Sequence, residues 1–185
     1  YSSDGLTWQP LKGEETISEG QFVRTDSVSR VVLVLDDGSI VRLNNSSEAK
    51  LVSMLPNDIK VENASGEVYA RVVTSGTAYK TVNSDTLKGV VVYQSSVDVS
   101  ETEEDVAEGK RYYQEHPSPD VKSKITDLPV DELKADAFAK WNLDLDKQTS
   151  EFKDKLGYLT KIEESVATTP VAPSPVPAGA SITLS

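Results

Sequence analysis

The chain has 185 residues, no cysteine, one histidine and a formal net charge of −11, from 30 acidic and 19 basic residues. The absence of cysteine excludes a disulfide framework, a thiolate zinc site and a cysteine nucleophile. Because a strongly negative field repels a phosphate backbone, nucleic acid is not expected as a partner. No apolar run approaches the roughly 18 residues that a membrane-spanning helix needs, so we predict no membrane span within this sequence.

Residues 1–12 are predicted to form an irregular lead-in to the first strands. Within it, Trp8 is expected to cover one end of the core rather than to stack against a ligand. Further along the chain, Glu19-Gly20 predicts a turn between two short strands. The core candidates of this stretch are Ile17, Phe22 and Val23.

The strongest local signal in the chain is a β-hairpin over residues 31–43. One apolar run precedes Asp37-Gly38 and another follows it, a pattern that predicts two strands joined by a two-residue turn. Because side chains alternate between the two faces of a strand, Leu33 and Leu35 are expected to be more buried than Val32 and Val34. We expect the other strands of the first half of the chain to stack onto this hairpin.

Turn signals recur about every ten residues between residues 13 and 100. Strands are predicted on both sides of the Ala-Ser-Gly turn at 64–66, through Tyr79–Val82 and through Val90–Val99, with one more near Tyr112. This spacing is typical of an all-β sandwich, barrel or solenoid. We therefore predict a mainly β fold, with an all-β domain over residues 13–115. The other predicted turns lie at 44–47 and 56–58.

The acidic stretches and the single histidine are the candidates for metal or catalytic chemistry. Glu101–Glu108 contains five acids and no base, but the Asp-x-Asp-x-Asp-Gly calcium loop with its distal glutamate is missing, so a solvated linker is predicted. Asp144-Leu145-Asp146 is a weaker metal pattern. His116 stands alone in a His-Pro-Ser-Pro connector, without the partners of a zinc site or a catalytic triad.

We therefore predict that the chain is not an enzyme and has no catalytic, cofactor-binding or metal-binding residues. The remaining route to catalysis is a pair of carboxylates. The acids of this chain are instead expected in a linker or on solvated helix surfaces. The sequence leaves the ligand-binding residues unassigned.

Helical periodicity begins after residue 127. Asp127 is predicted to cap a helix with Pro129 in its first turn, and apolar residues from Leu133 to Leu145 recur at spacings of three and four. Ser150 is predicted to begin a second short helix that ends at Gly157. Each helix has one apolar stripe, which is expected to cover the other helix or an edge of the β domain.

The predicted organisation is completed by a helical appendage over residues 116–164 and a proline-rich linker over residues 165–185. The linker carries no charged residue and four prolines, a composition typical of a semi-rigid polyproline spacer. At its end, Ile182 and Leu184 alternate as the start of a further domain would.

A set of short motifs runs in a fixed order through the first half of the chain. Its members are Gly13-Glu14, Ile17, Gly20, Val23-Arg24-Thr25, Ser29, Leu33, Leu35, Asp37-Gly38-Ser39, Val41, Leu43, Gly66-Glu67-Val68-Tyr69, Gly76-Thr77-Ala78-Tyr79 and Val91–Val99. In order and spacing this set resembles the FecR-like domain, over about half of the chain. The resemblance implies an all-β extracytoplasmic module.

In the best-known members of that family, the module is the periplasmic part of a membrane-anchored regulator that senses an iron–siderophore transporter and controls a sigma factor. Other members are surface proteins with additional modules. This sequence departs from the family in a short stretch between Val73 and Gly76, and it has no recognisable sigma-binding segment or membrane helix.

These observations lead to two functional hypotheses. The first is a non-catalytic, extracytoplasmic module of the cell surface or cell envelope, which binds or scaffolds an envelope protein or glycan. The alternative is the periplasmic sensing part of a FecR-type sigma-factor regulator.

Overall fold

The computed structural model describes residues 1–55, 58–115 and 124–164. They form a mainly β, antiparallel structure with short helices on its C-terminal side, which confirms the predicted fold class. Part of the predicted turn at 56–58, the connector around His116 and the proline-rich tail at 165–185 lie outside the described residues.

Eleven strands and three helical segments are present in the described residues. The strands are β1 Phe22–Arg24, β2 Val31–Val34, β3 Ile40–Leu43, β4 Glu48–Leu55, β5 Asp58–Val72, β6 Thr77–Asn83, β7 Leu87–Gln94, β8 Ser96–Val97, β9 Val106–Ala107, β10 Lys110–Glu115 and β11 Lys124–Asp127. The helices are α1 Val130–Ala135, α2 Ala137–Gln148 and a 3₁₀ helix at Gly157–Ile162.

The long strand β5, rather than the hairpin at 31–43, is the element around which the sheet is arranged. Its first part pairs with β4, and its second part pairs with β3 on one side and β6 on the other. The predicted turn at 64–66 is wrong, because the strand continues and only bends there. Gly66 has φ +79° at the bend, and a Cβ at this position would lie 2.3 Å from the Ser47 Oγ, so glycine is required by space as well as by conformation.

The hairpin of β2 and β3 confirms the prediction, with Val34 opposite Ile40 in the antiparallel register. Its turn is longer than predicted. Leu35 and Ser39 are joined by a backbone hydrogen bond of 2.8 Å around three residues, and the last of these, Gly38, has φ +84°. This is the three-residue hairpin loop with a left-handed glycine. Leu35 is 6% exposed and Val34 70% exposed, as the alternation predicts.

The sheet carries different layers on its two faces. On one face, β1, β4 and the first part of β5 enclose a core that includes Val23, Val41, Leu43 and Leu51. Fully burying one such side chain contributes roughly 1.5–3 kcal/mol. The predicted turn at Glu19-Gly20 is present, but only β1 follows it and no strand precedes it.

Farther along the same face, the small hairpin of β8 and β9 covers a separate apolar cluster. Val106 of β9 is fully buried against Val92 and Tyr112. The stretch Glu101–Glu108, predicted as a solvated linker, therefore ends in a strand that pairs with Ser96–Val97. Its acidic residues are exposed.

The helices cover the opposite face of the sheet, rather than one of its edges. Phe138, Leu143 and Leu159 pack against Tyr69 and Tyr93 there. The range predicted as a helical appendage also supplies β11, which pairs with β10.

The predicted helix caps are wrong. Asp127 ends β11, and Asp136 is the residue that caps α2, accepting hydrogen bonds from the backbone N–H groups of Phe138 (2.8 Å) and Ala139 (2.9 Å). Ser150 begins no helix, and Gly157 begins the 3₁₀ helix instead of ending an α-helix. Several residues in this region could cap a helix locally, and packing on the sheet selects among them.

Candidate functional site

Three buried cations lie on the helix-covered face of the sheet. Arg42 of β3, Arg71 of β5 and Lys80 of β6 are all buried. Arg42 of β3 pairs with Tyr69 of β5, and Tyr69 pairs in turn with Lys80 of β6. These three residues therefore form one row across the strands. Charges in this position need partners, because removing them from water is costly.

Asp146, near the C-terminal end of α2, is the partner of both arginines. Its Oδ1 lies 2.7 Å from the Nη1 of Arg42, and its Oδ2 lies 3.5 Å from the Nη1 of Arg71. The hydroxyl of Tyr69 donates to Oδ2 at 2.6 Å. Burial first, and then the negative charge of Asp146, raise the pKa of Tyr69 well above its usual value, so the phenol stays protonated and donates.

Lys80 forms the corresponding contact at the N-terminal end of α2. Its Nζ lies 2.6 Å from the Glu67 Oε1 and 2.5 Å from the Asp136 Oδ2. Burial alone would lower the pKa of Lys80, but the carboxylates of Asp136 and Glu67 outweigh it and raise that pKa. Both ends of α2 are thus held to the sheet by ion pairs, which makes this cluster a structural element.

The buried charge cluster around Asp146 was not predicted from the sequence. Asp146 was expected on a solvated helix surface, and its side chain is 0% exposed. Arg42 alternates with Val41 and Leu43, which places it on the opposite face of the strand, where solvent is the simplest expectation. The available signal was a cation between apolar residues in each of two strands, Arg42 in β3 and Arg71 in β5.

A second group of arginines lines an open cleft of about 810 Å³ between the lead-in and the loop that joins β1 to β2. The guanidinium of Arg24 lies 4.0 Å from the centre of the Trp8 ring. The guanidinium of Arg30 lies 4.9 Å from the centre of the Trp141 ring, and its Nε donates to the Asn44 Oδ1 at 2.8 Å. Stacking on aromatic faces restricts the orientation of both cations.

Neither cleft arginine forms an ion pair with a carboxylate in the described parts of the chain. The nearest acid in the lining is Asp26. Hydrogen bonds from the backbone of Val28 and from Ser29 lower the pKa of Asp26, so it stays ionised. The cleft therefore holds two cations and one anion, in a protein whose net charge is −11.

The outcome for Trp8 differs from the prediction. Trp8 is half-buried and is not among the residues that pack against the three apolar clusters. It lines the cleft, and Arg24 stacks on it. The contact that the structure shows for the Trp8 ring is thus with the Arg24 guanidinium rather than with the core.

A groove of about 500 Å³ lies on the sheet face opposite the helices. Tyr79 and Tyr112 are in its lining, together with Val61 and Asn63 of β5. Asn63 donates to the Gly66 carbonyl at 3.1 Å, and its buried Oδ1 accepts no hydrogen bond among the described residues. The groove lining has one base and two acids, Lys88, Asp98 and Glu101, so it lacks the excess of positive charge found in the cleft lining.

The described ranges contain no group of three or more histidine, cysteine, aspartate or glutamate residues arranged to hold a metal ion. Asp144 is exposed whereas Asp146 is buried in the arginine cluster, so the Asp144-Leu145-Asp146 pattern does not bring its carboxylates together. His116 lies outside the described residues. No helix in the described part of the chain is long and apolar enough to cross a membrane.

No protein-family model matches the chain, and no curated protein sequence matches it. Among solved structures, it is similar to two crystal structures of a proposed anti-sigma factor from Parabacteroides distasonis. One shares 15% sequence identity at a TM-score of 0.41, and the match covers 57% of this chain and 58% of the other. The second shares 14% identity at a TM-score of 0.48, covering 63% and 65%. The chain thus spans less than two thirds of either structure.

Proposed function

We propose that the chain is a non-catalytic, extracytoplasmic binding module of the cell surface or cell envelope, and that its partner binds at the cleft between the lead-in and the β1–β2 loop. The observation that carries the proposal is the pair of arginines there. Arg24 and Arg30 are held on aromatic rings and have no carboxylate partner among the described residues.

The charge distribution supports this choice of site. The net charge of −11 repels anions from the protein as a whole. The other three arginines, Arg42, Arg71 and Arg111, are each paired with a carboxylate. A guanidinium that is oriented but unpaired is a ready donor to a carboxylate or phosphate group.

Binding to isolated cell envelopes tests the proposal. The fluorescently labelled full chain is sedimented with envelopes, and the bound fraction is measured against envelope concentration. We expect Arg24→Gln/Arg30→Gln to bind at least about tenfold more weakly than the unmodified chain.

Arg111→Gln is the matched control, because Arg111 also stacks on an aromatic ring, that of Tyr113, but is paired with Glu132. It should bind as the unmodified chain does. Equal binding by the double variant, or no binding by the unmodified chain, would contradict the proposal.

The second candidate is the periplasmic sensing part of a FecR-type sigma-factor regulator. It is favoured by the motifs of the FecR-like resemblance, several of which lie on strands that pair with one another, in β3, β5, β6 and β7. This candidate requires a membrane helix and a cytoplasmic segment encoded ahead of Tyr1. A cleaved signal sequence at that place would exclude it.

A further inference from the structure

We infer that the cleft binds a carboxylated polysaccharide, with Arg24 and Arg30 each contacting a carboxylate of the glycan. The inference rests on the proposed function and names the ligand class for the same site. It is carried by the two stacked guanidiniums, by the neutral hydrogen-bonding groups around them, and by the nearby carboxylate of Asp26.

The two guanidiniums supply the charged contacts. The ring of Trp8 covers one face of the Arg24 guanidinium at 4.0 Å. When a guanidinium lies flat on an aromatic ring, its N–H groups point outward in its own plane. There they can donate two parallel hydrogen bonds to one carboxylate. Arg30 also lines the cleft. Its guanidinium lies over Trp141, which is outside the lining, and only its Nε is used, on Asn44.

Neutral polar groups line the cleft beside the arginines. The side-chain carbonyl of Gln9 accepts from the Tyr1 hydroxyl, while the amide nitrogen of Gln9 makes no hydrogen bond in the described part of the chain. Ser29 also lies in the lining, where its side chain hydrogen-bonds to Asp26. A cleft that is open to water and mixes charged with neutral donors suits a ligand that carries hydroxyl groups as well as charge.

The local charge also limits how densely the ligand can be charged. Asp26 is ionised within the same lining, and the whole chain is strongly negative. A polyphosphate or a heavily sulfated glycan carries more than one charge in the length of one sugar and would meet this repulsion more strongly. One carboxylate per sugar lowers the charge density while still supplying a partner for each guanidinium.

An extended peptide is less well accommodated beside Arg24. Strand β1 is paired with β4 along one edge. On its other edge, Phe22 exchanges two backbone hydrogen bonds of 2.8 Å with Ser2. The outer edge of β1 is therefore already used at Phe22, two residues before Arg24, and addition of a peptide strand is hindered there.

Calorimetric titration of the full chain with polygalacturonate tests the inference. The matched neutral probe is fully methyl-esterified polygalacturonate, and polyglutamate is the acidic peptide. We expect polygalacturonate to bind at low ionic strength and both other probes to bind at least tenfold more weakly. Binding should weaken as salt is added, because the contacts are exposed.

The variants locate the binding. Arg24→Gln/Arg30→Gln should lower the affinity for polygalacturonate at least tenfold, and Arg111→Gln should leave it unchanged. Trp8→Leu, which removes the stacking surface without changing any charge, should lower it to an intermediate extent. The thermal midpoint of each variant is measured first. If the double variant is unfolded, Trp8→Leu and the single variants Arg24→Gln and Arg30→Gln are titrated in its place.

Several outcomes would overturn the inference: no binding of polygalacturonate, equal binding of its methyl ester, equal or tighter binding of polyglutamate, or the same loss in Arg111→Gln as in the cleft variants. The proposed function fails separately. If envelopes bind through Arg24 and Arg30 but polygalacturonate does not bind, the ligand class is wrong and the binding function stands.

Discussion

Arg42 and Arg71 carry the same charge as Arg24 and Arg30 but lie in opposite surroundings. The first two are buried beneath α2, with side chains 1% and 3% exposed, and share the carboxylate of Asp146. The other two are exposed, and their guanidiniums contact aromatic rings. The buried pair is committed to contacts within the chain, which is why the proposed binding site uses the exposed pair.

The physical reason for the difference is desolvation. A buried guanidinium is tolerated only when a carboxylate or carbonyl replaces its water, and the resulting pair adds little net stability over an apolar contact. The buried pair instead fixes the position of α2 on the sheet, because this helix must place Asp146 next to Arg42 and Arg71. An exposed guanidinium keeps its water and needs no acid nearby.

The largest expected effect comes from breaking the buried cluster. Asp146→Ala leaves Arg42 and Arg71 without their carboxylate, and we expect it to lower the free energy of unfolding by about 3–5 kcal/mol. Urea unfolding followed by circular dichroism measures this loss. Asp144→Ala, two residues away on the exposed side of α2, is the control and should change it by less than about 0.5 kcal/mol. Equal small losses in both variants would contradict the structural role of Asp146.

An intermediate effect is expected for Tyr69→Phe, which removes the hydroxyl that donates to Asp146. The loss should be about 1–3 kcal/mol near neutral pH, because a buried carboxylate oxygen loses a partner. We expect it to be smaller than the loss in Asp146→Ala. A larger loss would show that the Tyr69 hydroxyl, rather than the two arginines, provides most of the stabilisation of the Asp146 carboxylate.

Alkaline pH sharpens the same comparison. The pKa of Tyr69 is raised in the folded state, so above about pH 10 the unfolded chain releases a proton that the folded chain retains. Stability is therefore fully present below the unfolded pKa and falls as the pH rises beyond it. Lys80, whose pKa is also raised, acts in the same direction. Urea unfolding between pH 8 and pH 11 should show a shallower decline for Tyr69→Phe, and an unchanged slope would contradict the assignment.

The smallest effect is expected for the exposed pair. Arg24→Gln and Arg30→Gln should each lower the free energy of unfolding by less than about 1 kcal/mol, since exposed cation–π contacts contribute at most that much. The same urea experiment measures it. A loss comparable to that of Asp146→Ala would show that these arginines support the fold, and would remove the contrast between the two pairs.

Local chemistry accounts for the predictions that succeeded. The hairpin of β2 and β3 follows from an apolar alternation interrupted by Asp-Gly, and the backbone preference of Gly38 is a property of that residue alone. The predictions that failed concern choices between local alternatives. Gly66 suits a turn or a bend equally well, and Ser47 packed against it decides for the bend. Asp127 and Asp136 can both cap a helix, and Asp136 is the one that also reaches Lys80.

The sequence by itself determined the mainly β class, the hairpin at 31–43 and the helical character of the C-terminal part, because each depends on residues close together in the chain. Only the tertiary structure decided which charges are buried and which are free. The alternation of side chains places Arg42 on one face of a strand but does not show what covers that face. The residue that pairs with Arg42 there, Asp146, is about one hundred residues away in the sequence. The same holds for Arg24 and Arg30, whose ring partners Trp8 and Trp141 lie far apart in the sequence.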